Sequence, residues 1–192
     1  MGAFCPVPFY SDELKKQIEK YVIEPTMNGI RAEGFNYRGV VYFGLMITTE
    51  GPELLEYNVR LGDPETEVVL PALKNDLLEL VLSCFDGTLK DIKMEFNPGF
   101  FVDVVLVSGG YPGSYQKGFH ICGVEDEQEL IFHAGTRKDN FRIVTNGGRV
   151  LNIIAHGKTL NKAIENAYKR VEEFYFEEMF YRKDIGKRKW NN

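Results

Sequence analysis

The chain has 192 residues, of which 44% are hydrophobic and 13% aromatic, enough to build one large hydrophobic core or two small ones. Its formal net charge of −5 argues against nucleic acid or an anionic membrane as the main partner. No stretch approaches the roughly 18 uninterrupted apolar residues of a membrane span, and the first residues lack a basic-then-apolar signal pattern, so we expect a cytoplasmic protein.

The first half of the chain opens with a predicted helix and a predicted pair of strands. Ser11 is a typical N-cap residue, and apolar residues recur after it at helical spacing until Pro25, which should kink or end the helix. Residues 39–49 and 53–60 have strand patterns, and only a short Glu-Gly-Pro turn separates them. This short connection favours antiparallel pairing.

A long helical stretch is predicted after the second strand. Asp63 has the residue type of an N-cap, and Pro64 would occupy the first helical position, where proline is favoured. The helical pattern runs to Phe85, with Pro71 as a kink or break, and Gly87 lies just past its end.

The second half of the chain changes to a pattern of short strands followed by one helix. The strands are predicted at Phe101–Val107, Leu130–His133, Arg142–Thr145 and Arg149–Ala155. Asn146-Gly147 is a strong hairpin signal between the last two of them. A final helix is predicted from Thr159, with an apolar stripe that ends at Phe174. This order of elements indicates a small α+β unit.

Residues 54–66 contain the densest chemistry in the chain. Side chains two positions apart on a strand share a face. One face would then hold apolar residues that pack into a core, namely Leu55, Tyr57 and Val59. The opposite face would hold three polar residues, namely Glu56, Asn58 and Arg60.

This polar face has two interpretations. A carboxylate and an amide oxygen suit a hard cation such as Mg²⁺, and a guanidinium can neutralise a phosphoryl group. A helix that starts at Pro64 would add free backbone N–H groups for an anion. The alternative is an ordinary edge strand with a solvated polar face, because such patterns are common on half-exposed sheets.

Residues 56–66, Glu-Tyr-Asn-Val-Arg-Leu-Gly-Asp-Pro-Glu-Thr, resemble the signature of the phosphoribosylamine–glycine ligases, also called glycinamide ribonucleotide synthetases. Further segments similar to this family occur in the family's order, at Met1–Pro8, Gly44–Ile47, Gly109–Tyr115, His133–Thr136, Thr145–Leu151 and Tyr181–Gly186. The family belongs to the ATP-grasp superfamily. The resemblance implies an α+β fold, with residues 1–97 as the C-terminal part of an ATP-grasp domain, built from antiparallel strands and helices, and residues 98–192 as a small α+β C-terminal domain.

The resemblance also implies a reaction and a set of site residues. The family joins glycine to 5-phosphoribosylamine while ATP is cleaved to ADP and phosphate, through a glycyl phosphate intermediate. By this resemblance Glu56 and Asn58 hold Mg²⁺ or Mn²⁺, Arg60 stabilises the transferring phosphate, and Leu55 contributes to cofactor binding. The residues that would bind the glycine and the sugar amine are Gly62, Asp63, Pro64 and Glu65. Arg149 is a secondary candidate for contacting the 5-phosphate of the sugar amine.

The same family has a lysine-bearing strand and a glycine-rich lid that this sequence does not contain. We therefore expect the chain to be the C-terminal part of a longer ligase and to be inactive alone. Its expected partners are glycine, 5-phosphoribosylamine, ATP and the missing N-terminal lobes, with no nucleic acid and no membrane. Two alternatives remain: a non-catalytic binding or assembly fragment of a multifunctional purine enzyme, and another ATP-grasp ligase that joins a different carboxylate and amine.

Overall fold

A computed structural model of the chain describes residues 1–124 and 130–187. Its α-helices are α1 (Asp12–Ile18), α2 (Glu24–Ala32), α3 (Thr66–Ala72), α4 (Leu77–Asp86) and α5 (Leu160–Val171). Its strands are β1 (Gly2–Cys5), β2 (Tyr42–Thr48), β3 (Gly51–Asn58), β4 (Phe100–Ser108), β5 (Ile131–His133), β6 (Thr136–Asp139), β7 (Arg142–Thr145), β8 (Arg149–Gly157) and β9 (Met179–Phe180). A π-helical turn lies at Glu19–Ile23 and a 3-10 turn at Leu89–Asp91. None of the helices in these described ranges is both long enough and apolar enough to cross a membrane.

The described residues form two compact units. The first, which we call the sheet unit, contains residues 1–6, 63–73, 96–124 and 130–187. The second, the hairpin unit, contains residues 7–62 and 74–95. The predicted domain boundary between residues 97 and 98, which separates an ATP-grasp part from a C-terminal domain, stays a prediction. The α+β class is confirmed, because antiparallel sheets and separate helices make up the chain.

The sheet unit is built on an antiparallel sheet in the order β1-β4-β8-β5, with β9 added beside β4. The apolar residues of α5 pack in one cluster with Val102 and Val104 of β4. Val68 of α3 packs in a second cluster with Phe101 of the same strand. Because successive strand residues point to opposite faces, the two helices cover opposite faces of β4.

The predicted helix after Thr159 is confirmed as α5. The Thr159 hydroxyl accepts a hydrogen bond from the Lys162 backbone N–H at 3.2 Å, which caps the helix. The predicted apolar stripe is buried, with Ala163 and Ala167 fully inaccessible and Phe174 only 3% exposed. Its period of about 3.6 residues keeps one face of the helix on the sheet.

The hairpin unit begins with the helix that Ser11 was predicted to cap. The Ser11 hydroxyl accepts a hydrogen bond from the Leu14 backbone N–H at 3.1 Å. Pro25 was predicted to kink or end this helix, and it does not end it, because helical structure continues to Ala32. Pro25 lies in the first turn of α2, directly after the π-helical turn. A wider turn gives room to a proline ring that would otherwise meet the carbonyl four residues earlier.

The predicted pair of strands in the hairpin unit is confirmed as the antiparallel pair β2 and β3. Its register places Gly44 opposite Glu56 but Leu45 opposite Leu54, so that Leu55 is the extra residue of a β-bulge. The strand β3 ends at Asn58, two residues earlier than predicted.

The helical stretch predicted from Pro64 to Phe85, with a kink or break at Pro71, is two helices, and the first of them ends one residue after Pro71. The first begins at Thr66 with Glu65 as its N-cap, so the prediction of Asp63 as the N-cap is wrong. The chain then leaves helical geometry after Ala72, and Asp76 caps α4 by accepting from the Glu79 N–H at 3.0 Å. As predicted, Gly87 follows α4, in the left-handed conformation with φ of 74°.

All four strands predicted in the second half exist, but the hairpin predicted between the last two of them, at Asn146-Gly147, is wrong. β7 pairs with β6, while β8 pairs with β4 and β5. The backbones of Gly135 and Gly147 approach so closely that a Cβ on either one would overlap the other. The Asn146 N–H also donates to the Gly135 carbonyl at 2.7 Å. This close approach separates β7 from β8. It involves Gly135, so the two turn residues Asn146 and Gly147 alone could not have predicted it.

Candidate active site

The predicted metal ligands Glu56 and Asn58 are adjacent in the hairpin unit. The Asn58 Nδ2 donates a hydrogen bond to Glu56 Oε1 at 3.0 Å. This bond uses the amide nitrogen, which leaves the amide oxygen and the second carboxylate oxygen as acceptors. A Cβ placed on Gly44, across from Glu56, would lie 3.0 Å from the Glu56 Cγ, so the glycine gives this side chain space. Two hard oxygen donors therefore stand side by side on β3.

The sequence predicted Arg60 inside the strand, but in the structure Arg60 lies beyond the end of β3. Its guanidinium donates from Nη1 to the Leu61 carbonyl at 3.1 Å, and the residue is exposed. The side chain therefore has a local backbone contact and remains accessible to an anion. Gly62, which follows, is buried.

The apolar face predicted for this strand does not pack into a core. Leu55 is 63% exposed, Tyr57 is 50% exposed and Val59 is 69% exposed. The bulge at Leu55 interrupts the alternation of faces, which accounts for the position of Leu55 but not for the exposure of Tyr57 and Val59. Leu54, rather than Leu55, joins Tyr57 and Val59 in lining a cavity of about 520 Å³ beside α2.

In the sheet unit, Arg149 forms a two-point contact with Asp63. Its Nη2 donates to Asp63 Oδ2 at 2.8 Å, and its Nη1 donates to the Asp63 carbonyl at 3.2 Å. The side chains are 31% and 44% exposed, respectively. Arg149 and Asp63 thus meet across 86 positions of sequence. Pro64, the residue after Asp63, is buried. The Glu65 carbonyl accepts hydrogen bonds from the backbone N–H groups of Val68 and Val69.

The sheet unit also contains a buried carboxyl group that the sequence reasoning missed. Asp103 is inaccessible, and neither of its carboxylate oxygens has a well-formed hydrogen bond among the described residues, although the Ile153 backbone N–H lies near enough to lower its pKa. Its burial, with smaller contributions from the negative charges of Glu67 and Asp63, raises the pKa of Asp103 to about 8. The one signal in the sequence is a single charged residue inside the apolar run from Phe100 to Val107.

Glu67 has a similar environment on the adjacent helix. Burial, together with the charges of Asp63 and Glu65, raises the pKa of Glu67, while its own backbone N–H and the Arg149 guanidinium oppose this. Its Oε2 is buried and has no hydrogen-bond partner in the part of the chain that the structure describes. A strand residue at position 103 shares the face of Phe101, which packs against α3, so both acids belong to the α3 side of the sheet.

Within residues 1–124 and 130–187, no three His, Cys, Asp or Glu side chains form a group that could hold a metal ion. A metal at Glu56 and Asn58 would thus not be held by a cluster of such side chains within these ranges. Mg²⁺ ordinarily keeps several waters and shares phosphate oxygens of a nucleotide, so two protein donors are a normal number for it.

The structure thus arranges the predicted site residues in two groups. One group belongs to the hairpin unit and consists of Leu55, Glu56, Asn58, Arg60 and Gly62. The other belongs to the sheet unit and consists of Asp63, Pro64, Glu65 and Arg149. The boundary between the units falls between Gly62 and Asp63, inside the motif itself.

Comparison with known proteins gives consistent matches over nearly the whole chain. Residues 1–66 match the family model for the ATP-grasp (A) domain of phosphoribosylglycinamide synthetase, and residues 101–188 match the model for its C domain. A phosphoribosylamine–glycine ligase of Caldanaerobacter subterraneus is 44% identical over 187 residues, which cover 97% of this chain and 45% of that protein. A bifunctional purine biosynthetic protein, ADE1 of Schizosaccharomyces pombe, is 45% identical over 97% of this chain and 24% of its own length.

A solved structure is also similar to this fold. The crystal structure of the phosphoribosylamine–glycine ligase of Thermotoga maritima superposes with a TM-score of 0.84 at 42% identity. The superposition covers 96% of this chain and 46% of that one. The chain therefore spans less than half the length of the relatives that it matches.

Proposed function

Because this chain belongs to the phosphoribosylglycinamide synthetase family, we propose that it supplies the metal- and substrate-binding part of a phosphoribosylamine–glycine ligase. The reaction would join glycine to 5-phosphoribosylamine as ATP is cleaved to ADP and phosphate. The observation on which this proposal rests is the Glu56–Asn58 pair, which lies inside the segment matched to the ATP-grasp domain.

The donor set fits a small hard cation. Glu56 offers a carboxylate oxygen and Asn58 an amide oxygen, and their mutual hydrogen bond holds the two side chains together. Such oxygens suit Mg²⁺ or Mn²⁺, and a bound ion would neutralise charge on the phosphates of ATP. Leu55, exposed on the same strand, would contribute an apolar contact to the nucleotide.

The remaining predicted residues have complementary tasks in this proposal. Arg60 would stabilise negative charge on the phosphoryl group as it passes from ATP to the glycine carboxylate. The segment from Gly62 to Glu65, with Arg149 bound to Asp63, would shape the surface for glycine and the sugar amine. Attack of the amine nitrogen on the carbonyl of glycyl phosphate would then form the amide bond and release phosphate.

The hairpin unit has a surface that supports a further protein partner. Three aromatic residues around its cavity are strongly exposed: Tyr21 at 62%, Phe35 at 65% and Tyr57 at 50%. On α4, Leu78 and Phe85 are 65% and 64% exposed. Clusters of exposed apolar side chains mark interaction surfaces. We infer that the other part of a full-length ligase, outside the segment similar to this chain, packs against these exposed residues of the hairpin unit. We also infer that the working enzyme is cytoplasmic.

The test is a chimera in which this chain replaces the 44%-identical segment of the Caldanaerobacter ligase. ADP release should depend on both glycine and 5-phosphoribosylamine, and the 192-residue chain alone should give none. Glu56→Gln should lower kcat by about 100-fold or more, because a metal ligand is lost.

The matched control is Glu53→Gln, an exposed residue on the same strand that should leave the rate unchanged. Full activity of the Glu56→Gln chimera would overturn the metal assignment. Turnover by the chain alone would show that no further lobe is needed.

The relation to a bifunctional purine protein favours one other possibility, a binding or assembly role within a multifunctional enzyme. The same chimera decides between the two. An inactive chimera that is folded and binds no ATP would favour the assembly role, whereas ADP release with a different carboxylate or amine would indicate another ATP-grasp ligase.

A further inference from the structure

We propose that Arg149 is a positioning residue, which fixes the Asp63–Pro64–Glu65 segment through Asp63 and does not bind the 5-phosphate of the substrate itself. This inference deepens the proposed ligase function and rests on it. It assigns a specific task to the contact between Arg149, at the start of β8, and Asp63, in the segment before α3.

The contact has the geometry of a clamp. One arm of the guanidinium holds the Asp63 carboxylate at 2.8 Å, and the other holds the carbonyl of the same residue at 3.2 Å. Because the side chain and the main chain of Asp63 are both bound, the peptide group that leads into Pro64 cannot turn without losing one bond. Arginine's planar fork suits such a two-point contact, and a lysine cannot reproduce it.

The backbone that presents Arg149 is itself held rigidly. The Ser108 hydroxyl donates to the Gly147 carbonyl at 2.8 Å, and the Gly135 N–H donates to the Arg149 carbonyl at 2.7 Å. A side chain on Gly148 would overlap the ring of Tyr111, so this backbone packs closely on both sides.

The pairing of β8 also changes register next to Arg149. Arg149 is opposite Val107 and Leu151 is opposite Leu106, which leaves Val150 as the extra residue of a bulge. Bulges commonly re-aim a side chain, and here the re-aimed side chain is the arginine.

Asp63, the residue that Arg149 binds, is connected to α3 through Glu65. Glu65, two residues after Asp63, accepts the N–H groups of Val68 at 3.2 Å and Val69 at 3.0 Å. Val68 is 1% exposed and belongs to the apolar cluster beneath α3. The orientation of Asp63 is therefore transmitted to Glu65 and to the first turn of the helix.

Charge also argues against a direct phosphate contact. The positive charge of Arg149 is already balanced by the Asp63 carboxylate at 2.8 Å. A phosphate would have to compete with this carboxylate for the guanidinium.

Two measurements test the proposal. The first is amide hydrogen exchange in the 192-residue chain, where Arg149→Met should accelerate exchange of the Val68 and Val69 N–H groups by about tenfold or more. Amides of α5 should be unaffected. The control Arg137→Met removes a surface arginine that pairs with Asp139 at 3.3 Å and should change neither set.

The second measurement is steady-state kinetics of the chimera. Arg149→Met should lower kcat and raise the KM for both glycine and the sugar amine, and Arg149→Lys should not restore them. In Asp63→Asn, the further change Arg149→Met should reduce kcat/KM by less than about threefold, because the two residues act as a unit.

The outcomes separate the two proposals. Unchanged exchange at Val68 and Val69 in Arg149→Met overturns the positioning role, whatever the activity. A rise confined to the KM for 5-phosphoribosylamine, with rescue by lysine, also overturns it and indicates a phosphate contact. Faster exchange together with an inactive parent chimera supports the clamp and contradicts the ligase function.

Discussion

Replacement of Asp103 by asparagine should make the protein more stable at neutral and alkaline pH. Asp103 is fully buried, and its pKa is raised from 3.8 to about 8. An acid with a raised pKa in the folded state gives its full contribution to stability below its unfolded pKa, and loses it as the pH rises toward the folded pKa. For Asp103 this window runs from 3.8 to about 8.

The size of the effect follows from the width of this window. At pH 7 the unfolded chain has ionised Asp103 and the folded chain has not, and a gap of about three pH units corresponds to about 4 kcal/mol. Between pH 5 and pH 8 the free energy of unfolding of the parent should fall by about 3–4 kcal/mol from this group. The asparagine variant has no proton to lose, so its advantage over the parent should widen by the same amount.

Urea unfolding of the parent and of Asp103→Asn at half-unit steps from pH 5 to pH 8.5 measures this difference. Glu67, whose pKa is also raised, is present in both proteins and acts in the same direction in each. The control Asp139→Asn removes an exposed carboxylate paired with Arg137 and should change the free energy of unfolding by less than about 1 kcal/mol. Parallel curves for the parent and Asp103→Asn across this range would refute the reasoning.

Five substitutions test local features of the fold and the site. Gly148→Ala should destabilise the chain by about 1–3 kcal/mol in urea unfolding, because its Cβ overlaps Tyr111. Gly29→Ala, where a Cβ meets nothing within 4 Å inside α2, should instead stabilise it by up to about 1 kcal/mol, and equal effects at the two glycines would contradict this account. Thr159→Ala should remove about 1 kcal/mol by loss of the α5 cap, measured by thermal unfolding, and an unchanged midpoint would show that the cap contributes nothing. In the chimera, Glu56→Gln should abolish most turnover while Glu53→Gln retains it.

Features that depend on near neighbours in sequence were predictable. The caps at Ser11 and Thr159, the glycine after α4 and the apolar stripe of α5 all follow from residues within one or two helical turns. The spacing of Glu56 and Asn58 likewise predicted adjacent side chains, since positions two apart on a strand share a face. The family resemblance, which is confirmed, likewise rests on short segments such as residues 56–66.

Errors arose where one extra residue or one distant contact overrides a local pattern. The bulge at Leu55 interrupts the alternation that predicted a buried apolar face. Asn146-Gly147 has the composition of a hairpin turn, yet the close approach of Gly135 to Gly147 directs β7 to β6 instead. A turn signal describes two residues, whereas strand pairing depends on which backbones can meet.

The sequence by itself determined α1 and α5, most strands, the family and the metal-type spacing on β3, because these are properties of short segments. Only the tertiary structure decided that Arg149 binds Asp63 and that Asp103 is fully buried beside α3. The physical reason is that burial and long-range contacts depend on the packing of strands far apart in sequence. A charged residue in an apolar run shows its altered pKa only once the sheet and α3 have removed water from it.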